Sequence, residues 1–370
     1  MQSRILVTRS SMPPLEEYVA EIAPLWESHW LTNMGAKHRQ FESMLKVRLG
    51  ASNVCLFTNG HNALECVLEA MGLTGEVITT PFTFASTTHA IVRKGLTPVF
   101  ADVREDDLTL DPASVESLIT PRTSAIVPVH VYGNPCDVRA IQKIADRHGL
   151  KVIYDAAHAF GVSLDGTPIA SFGDASMFSF HATKVFNTIE GGCVCFRDSA
   201  LYDTLNQWKN FGITSPEDVE YVGGNAKMNE FCAAMGICNL RHLDEEIAKR
   251  SAAAARYRSG LKGVPGIRLV ATSAQGVKEN FAYMPVLVDP AEFGAARDDV
   301  FDALGANGIG SRKYFFPLVT DYACYRSVYA SERTPVARRA AERVLCLPMY
   351  ADLELDDVDR ICEIVRGCAR

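Results

Sequence analysis

The chain has 370 residues, 48% of them hydrophobic and 22% charged, and a formal net charge of −7. These values suit a folded globular protein of one large or two smaller domains and exclude a disordered or fibrous one. The acidic balance argues against nucleic acid as the main partner.

No apolar run approaches the ~18–20 residues of a membrane span. The first residues lack the apolar centre of a secretory signal. A cytoplasmic protein with no membrane or nucleic-acid partner is expected. Its eleven cysteines are scattered and form no C-x-x-C pair, so reduced thiols are expected rather than a disulfide framework or a metal site.

Taken in chain order, 15–30 carries apolar residues at helical spacing, and 37–50 reads as a helix that stops at Gly50. From 53 to 200 the pattern alternates. Strands are predicted at 54–57, 76–81, 97–103, 123–133, 151–157, 176–180 and 191–198. Helices are predicted at 59–73, 83–95, 111–119 and 137–149, the third opened by Asp111 and Pro112 and the fourth capped by Asp137. Strands alternating with helices of this kind make βαβ units and a largely parallel sheet. Continuous apolar runs such as AIVPVHV and KVIYD suit strands covered on both faces.

A long helix over 229–261, with a kink expected near Gly236, then leads to a second region. That region has a strand at 280–289 and helices at 293–308 and 356–368. The expected organisation is a large α/β domain over 1–245, with a helical N-terminal segment, and a smaller α+β domain over 246–370.

Open α/β sheets bind ligands beyond the carboxyl ends of their strands, and four places there carry reactive residues. The turn Asn59-Gly60-His61-Asn62 opens a helix, where free N–H groups and the helix dipole favour an anion such as phosphate. Asp155 ends a strand, with small residues and His158 after it; a carboxylate there can hold a pyridinium proton. Lys184 sits between two apolar strands, with Ser179 and His181 nearby, and burial lowers a lysine pKa and makes the amine nucleophilic. Pro81-Phe82-Thr83-Phe84 puts aromatic rings just past another strand, where they could stack on a ligand.

Taken singly, each has an ordinary alternative: a turn cap, a helix cap, a solvated loop lysine, a core aromatic. Together they form the set that pyridoxal phosphate requires. A lysine binds its aldehyde, a carboxylate keeps its ring nitrogen protonated, and an anion site holds its phosphate.

The runs Asp155-Ala156-Ala157-His158, Ser179-Phe180-His181-Ala182-Thr183-Lys184 and Glu190-Gly191-Gly192 resemble the DegT/DnrJ/EryC1/StrS family of nucleotide-sugar aminotransferases. Leu31-Thr32-Asn33-Met34-Gly35, Gly224-Asn225-Ala226-Lys227-Met228-Asn229-Glu230 and the segment LCLPMYADL extend the likeness nearly end to end. The resemblance implies fold type I, with a mostly parallel seven-stranded sheet flanked by helices and a smaller α+β C-terminal domain.

It also implies roles. Lys184 would bind the cofactor covalently and Asp155 would pair with the ring nitrogen. Phe84 and His158 would sandwich the ring. Gly60, His61 and Ser179 would hold the phosphate. Asn225 would reach the cofactor phosphate of the other subunit in a homodimer with shared sites. Thr32, Asn33, Lys313 and Tyr314 would bind the sugar nucleotide. His181 would assist Lys184 in proton transfer or pack beside the cofactor. Two positions depart from the family pattern: His61 stands where a hydroxyl is commoner, and Lys227 where arginine is usual.

The implied reaction passes an amino group from L-glutamate, which leaves as 2-oxoglutarate, through pyridoxamine phosphate to a nucleotide-linked keto sugar. The likeness is greatest to enzymes that aminate C4 of dTDP-4-keto-6-deoxyglucose. A 3-keto sugar or another nucleotide is the nearest alternative. A dehydratase of the same family is disfavoured, because such relatives carry histidine where Lys184 stands. A nicotinamide enzyme is disfavoured because no G-x-G-x-x-G follows the first strand. A cofactor-holding sensor is compatible with Lys184.

Overall fold

The computed structural model describes residues 4–271, 274–329 and 333–370. The chain begins with α1 (Leu15–Ile22), α2 (Leu25–Ser28) and α3 (Ala36–Leu49). The apolar spacing over 15–30 is divided between the first two helices at Pro24, whose ring removes an amide hydrogen. As expected, α3 stops at Gly50, which takes the left-handed conformation with φ 59°.

The alternating region folds as β1 (Asn53–Phe57), α4 (Gly60–Ala70), β2 (Glu76–Thr79), α5 (Ala85–Arg93), β3 (Thr97–Phe100), α6 (Pro112–Ser117), β4 (Thr123–Ile126), α7 (Val138–His148), β5 (Lys151–Asp155), β6 (Ala175–Ser179) and β7 (Gly192–Phe196). Asp111 and Asp137 cap α6 and α7, accepting from the N–H groups of Ala113 and Ala140. The seven strands form one sheet in the order β1-β7-β6-β5-β4-β2-β3.

All its strands run in one direction except β7, which is antiparallel to both its neighbours. The reason is local. A parallel crossover generally needs a helix, and residues 180–191, between β6 and β7, contain none. This is the seven-stranded, mostly parallel sheet expected of fold type I.

One strand is shorter than its apolar run suggests. The run 123–133 pairs as a regular strand only to Ile126. Pro128 has no N–H for a ladder, and 131–133 form a tight turn in which Tyr132 has φ 58° and Gly133 has φ 93°.

After α8 (Leu201–Trp208), α9 runs unbroken from Glu230 to Gly260. The expected kink at Gly236 is replaced by close packing: a Cβ there would lie 2.6 Å from Phe41 Cζ and 2.8 Å from Thr188 Cγ2. The remaining chain builds an antiparallel sheet of β8 (Ile267–Leu269), β9 (Met284–Val288) and β10 (Val344–Leu347) in that order. With it lie α10 (Pro290–Phe293), α11 (Arg297–Ala306), α12 (Pro335–Arg343) and α13 (Leu355–Gly367).

Two apolar cores meet along α9. Leu243 and Ile247 pack with the large sheet, whereas Ala253, Ala254 and Tyr257 pack with β9, β10 and α13. We propose that a division into two domains falls between Ile247 and Ala253. The N-terminal segment does not follow chain order: Ile5 bridges to Ile309 and packs in the second core. A third apolar cluster, holding Phe82, Tyr132, Leu287 and Phe315, joins the two regions.

The start of α9 also organises α3. Glu230 is buried, and its carboxylate accepts from the N–H groups of Lys37 (2.7 Å) and His38 (3.3 Å) in the first turn of α3. Those donors have no partner inside their own helix. Replacing Glu230 with alanine is expected to lower stability by about 1–3 kcal/mol, read as a lower urea midpoint at unchanged slope. Glu230→Gln, which keeps one acceptor, should lose less.

Candidate active site

The carboxyl ends of β1, β2, β5 and β6 converge with the β6–β7 loop and with Tyr283, Arg312, Tyr314 and Phe315 on a cavity of about 340 Å³. That volume is in the range of cofactor and small-ligand sites, which often lie where two regions of a chain meet. Of the sequence-derived candidates, Gly60, His61, Phe84, Asp155, His158, Ser179, His181, Lys184 and Tyr314 all line it.

The turn after β1 leaves backbone N–H groups at the cavity end of α4 without helix partners. Asn59 caps α4 by accepting from the Asn62 N–H at 2.8 Å. The N–H groups of Gly60 and His61 then precede any helix carbonyl that could use them. Two glycines allow the surrounding strands to close on this turn. A Cβ on Gly60 would sit 2.9 Å from Ser179 Cβ, and one on Gly192 would sit 2.6 Å from Gly60 N. Gly192 thus lies directly against the turn.

The imidazole of His61 is engaged sideways. Its Nδ1 lies 2.9 Å from Ser86 Oγ and its Nε2 lies 3.3 Å from Glu65 Oε1. With both nitrogens held, what His61 adds to the turn is its backbone N–H.

Asp155 is buried at the end of β5. Thr87 Oγ1 donates to its Oδ2 at 2.7 Å, and the Ala157 N–H donates to its Oδ1 at 3.1 Å. Burial raises its pKa, and these two donors and the charge of Lys184 only partly offset that. A cationic ring nitrogen would supply the missing compensation.

Beside it, His158 Nδ1 accepts from the Tyr132 N–H at 3.1 Å. Burial, reinforced by Lys184, drives the His158 pKa well below its ordinary value. The ring is neutral, with its flat face fixed parallel to Phe315 at 6.0 Å. Phe84 reaches the same cavity from the start of α5 and is 57% exposed, which leaves its ring free to stack.

Lys184 comes from the β6–β7 loop. The residue keeps some access through the cavity, while its amine is surrounded by protein and donates to the Tyr283 hydroxyl at 3.4 Å. Burial brings its pKa down to about 8, against the opposing pull of Asp155 and Tyr314. At neutral pH about one amine in ten is then uncharged, rather than about one in three thousand at the ordinary lysine value. His181, next to it, faces Thr183 and Glu190, with Nδ1 2.8 Å from Thr183 Oγ1 and Nε2 3.5 Å from Glu190 Oε1.

Four candidates stand apart from this cavity within the chain. The Lys313 ammonium pairs with Asp298 at 2.7 Å and lies 4.5 Å from the centre of the Phe301 ring. The cation that lines the cavity is its neighbour Arg312, which donates to the Tyr314 hydroxyl at 3.1 Å. Thr32 and Asn33 are exposed in the loop before α3. Asn225 accepts from Lys227 Nζ at 3.0 Å, and Lys227 also donates to Asn210 at 2.7 Å.

Sequence reading missed Thr87, Ser86, Tyr283, Arg312 and Phe315. Thr87 had a local signal, since it lies only four residues after Thr83, which stands just before α5, and the two hydroxyls are 2.8 Å apart. Tyr283 and Phe315 had none, because they reach the cavity only through the packing of the second region. Among the described residues, no cluster of side chains is suited to a metal ion. No helix there is long and apolar enough to cross a membrane.

The assembled site, with an anion-binding turn, a buried carboxylate, flat rings and an amine held near neutrality, fits pyridoxal phosphate. Comparison with known proteins points the same way. The chain is 42% identical over 366 residues, 99% of each chain, to the dTDP-4-amino-4,6-dideoxy-D-glucose transaminase of Shigella dysenteriae. It is 41% identical over 368 residues, 98% of each chain, to the protein of that name from Escherichia coli. Its fold matches DesI, solved in the presence of its TDP-sugar product, with a TM-score of 0.94 and 38% identity over 100% of this chain and 93% of that one. A model of the DegT/DnrJ/EryC1/StrS aminotransferases matches residues 15–366, and a likeness of that extent makes this chain a member of the DegT/DnrJ/EryC1/StrS aminotransferase family.

Proposed function

We propose that the protein transfers an amino group from L-glutamate to C4 of dTDP-4-keto-6-deoxy-D-glucose, giving dTDP-4-amino-4,6-dideoxy-D-glucose, with pyridoxal phosphate as its cofactor. One observation carries the chemistry: Lys184 and Asp155 face a single cavity, each within the electrostatic reach of the other. The substrate is supported by the whole-length likeness to two transaminases named for that amino sugar.

Bound in the cavity, pyridoxal phosphate supplies an aldehyde that takes up the donor's nitrogen and a protonated ring that draws electrons from the substrate carbon. The rest falls to the chain. The N–H groups of Gly60 and His61, with Ser179, hold the phosphate. Asp155 keeps the ring nitrogen protonated, and Thr87 and the Ala157 N–H fix the carboxylate's direction. His158, neutral and braced by Tyr132 and Phe315, and Phe84 would hold the ring between them.

Lys184 anchors the cofactor. Its amine, in the uncharged form that burial favours, would be the group placed to take a proton from the substrate carbon and to give it back. His181, three residues before Lys184 on the same loop, would help relay that proton, with Thr183 and Glu190 orienting its ring. Arg312 and Tyr314 present a cation and a hydroxyl to the anionic substrate. A homodimer would bring Asn225 and the Thr32-Asn33 loop of each subunit toward the other's site, completing the cofactor and sugar contacts. A cytoplasmic location fits the soluble nature of both substrates.

The test is to incubate the purified protein with pyridoxal phosphate, L-glutamate and a panel of nucleotide-linked 3-keto and 4-keto sugars, and to locate the new amine by NMR. The expected result is amination at C4 of the dTDP-4-keto sugar, with stoichiometric 2-oxoglutarate. Lys184→Ala should lose both the yellow colour of the bound cofactor and turnover. Amination at C3, or normal turnover by Lys184→Ala, would overturn the assignment.

The lowered lysine pKa sets a pH dependence. Only the neutral amine attacks the aldehyde, so the rate at which cofactor-free protein captures pyridoxal phosphate should rise with pH and level off above about 8. Stopped-flow absorbance would show this. A rate still climbing tenfold per pH unit through 9.5 would mean that burial does not tune Lys184.

A further inference from the structure

Lys209 is wholly buried, yet the mechanism makes no use of it. It follows the last turn of α8, and its side chain runs beneath β1. There its ammonium donates to the Leu56 carbonyl at 3.1 Å and to Cys55 Sγ at 3.2 Å, and lies 5.5 Å from the centre of the Phe57 ring. Among the described residues no carboxylate lies within 4.0 Å of it. The nearest buried acid whose field reaches the same thiol is Glu42, and its charge is already taken by Lys46 at 3.1 Å and the Tyr202 hydroxyl at 3.1 Å. A buried ammonium held by a carbonyl and a thiol alone is costly.

The surroundings register this charge. Buried His38 has its pKa pushed down to about 3, first by desolvation and next by Lys209. Lys227, beside Asn225, is lowered by burial and then by Lys209. The same residue stitches the anion-binding turn to the Asn225 segment. Its backbone carbonyl accepts from the Ala226 N–H at 2.9 Å, and the Ala226 carbonyl accepts from the Thr58 N–H at 2.8 Å. Leu56 precedes Gly60 by four residues, at most about 14 Å of extended chain, a range over which charges inside a protein still interact.

We propose that Lys209 is a positioning residue for the cofactor: its uncompensated charge, set behind the turn that ends β1, supplies part of the positive potential that retains the phosphate dianion. The proposal rests on the reading of the cavity as a pyridoxal phosphate site. Before a ligand arrives, the Leu56 carbonyl and the carboxyl end of α8 offer only partial negative charge to the ammonium. Phosphate completes the balance without touching it. The turn supplies the hydrogen bonds, and Lys209 supplies the field behind them.

The experiment compares two probes that differ only in the phosphate, pyridoxal phosphate and pyridoxal. Dissociation constants are read from the absorbance of the lysine-bound aldehyde, with Lys184→Ala as background. Lys209→Met and Lys209→Gln remove the charge; glutamine keeps a donor for Leu56. Both should bind pyridoxal phosphate about ten-fold more weakly and pyridoxal as the unaltered protein does, while Lys209→Arg retains both affinities. The urea midpoint of the cofactor-free variants should be unchanged or higher, because a buried charge has been removed.

A parallel loss of both affinities, or a cofactor-free protein that is less stable in both variants, would make Lys209 merely structural and overturn the proposal. So would unchanged binding of both probes. An unaltered protein that binds neither probe would instead defeat the assignment of the cavity.

Discussion

The arrangement depends on keeping one amine out of bulk water and opposite a carboxylate that is also buried. Lys184 and Asp155 each carry a desolvation penalty that the other only partly relieves. That mutual shortfall makes the cavity a receptor. It leaves the amine reactive near neutrality and leaves the carboxyl seeking a cation. A salt bridge between them at full strength would satisfy both groups and remove the chemistry.

The fold maintains this tension by placing the two groups on different elements. Asp155 is fixed at the end of β5 by Thr87 from α5 and by the N–H of Ala157. Lys184 is carried by the loop between β6 and β7, the one connection in the large sheet that reverses direction. The reversal also brings Gly192 against Gly60, so the loop that carries the lysine runs into the strand that packs on the turn after β1. The second region contributes Tyr283, Arg312, Tyr314 and Phe315, which shut the cavity from the far side. The tuning of the amine is thus a property of two packed regions.

Several groups work at one remove from the cavity. Tyr132 fixes the tautomer and tilt of His158 through its backbone N–H. Glu65 and Ser86 hold the His61 ring to the side, which explains how a bulky residue is accommodated where a small hydroxyl is commoner: the turn needs the backbone there, and the side chain is parked. Glu230 couples the start of α9 to the start of α3. One segment, Gly224 to Glu230, therefore sits between the Lys209 network, the Asn225 contacts and the N-terminal helices.

The sequence by itself determined the order of strands and helices over 53–196, the caps at Asp111 and Asp137, and the placing of Asp155, His158, Lys184 and the Gly60 turn just past strand ends. Each is written locally: apolar runs of strand length, capping residues at helix starts, and reactive side chains just past strand ends. Only the tertiary structure decided that β7 runs backwards, that Gly236 marks a packing contact with Phe41 rather than a kink, and that Ile5 belongs to the second core. It likewise decided that Arg312 rather than Lys313 faces the cavity, and that Tyr283 and Phe315 complete it. These depend on contacts between residues far apart in the chain, where periodicity and propensity carry no information. The desolvation that brings Lys184 to about 8 belongs to the same class, because it is the sum of everything packed around the amine.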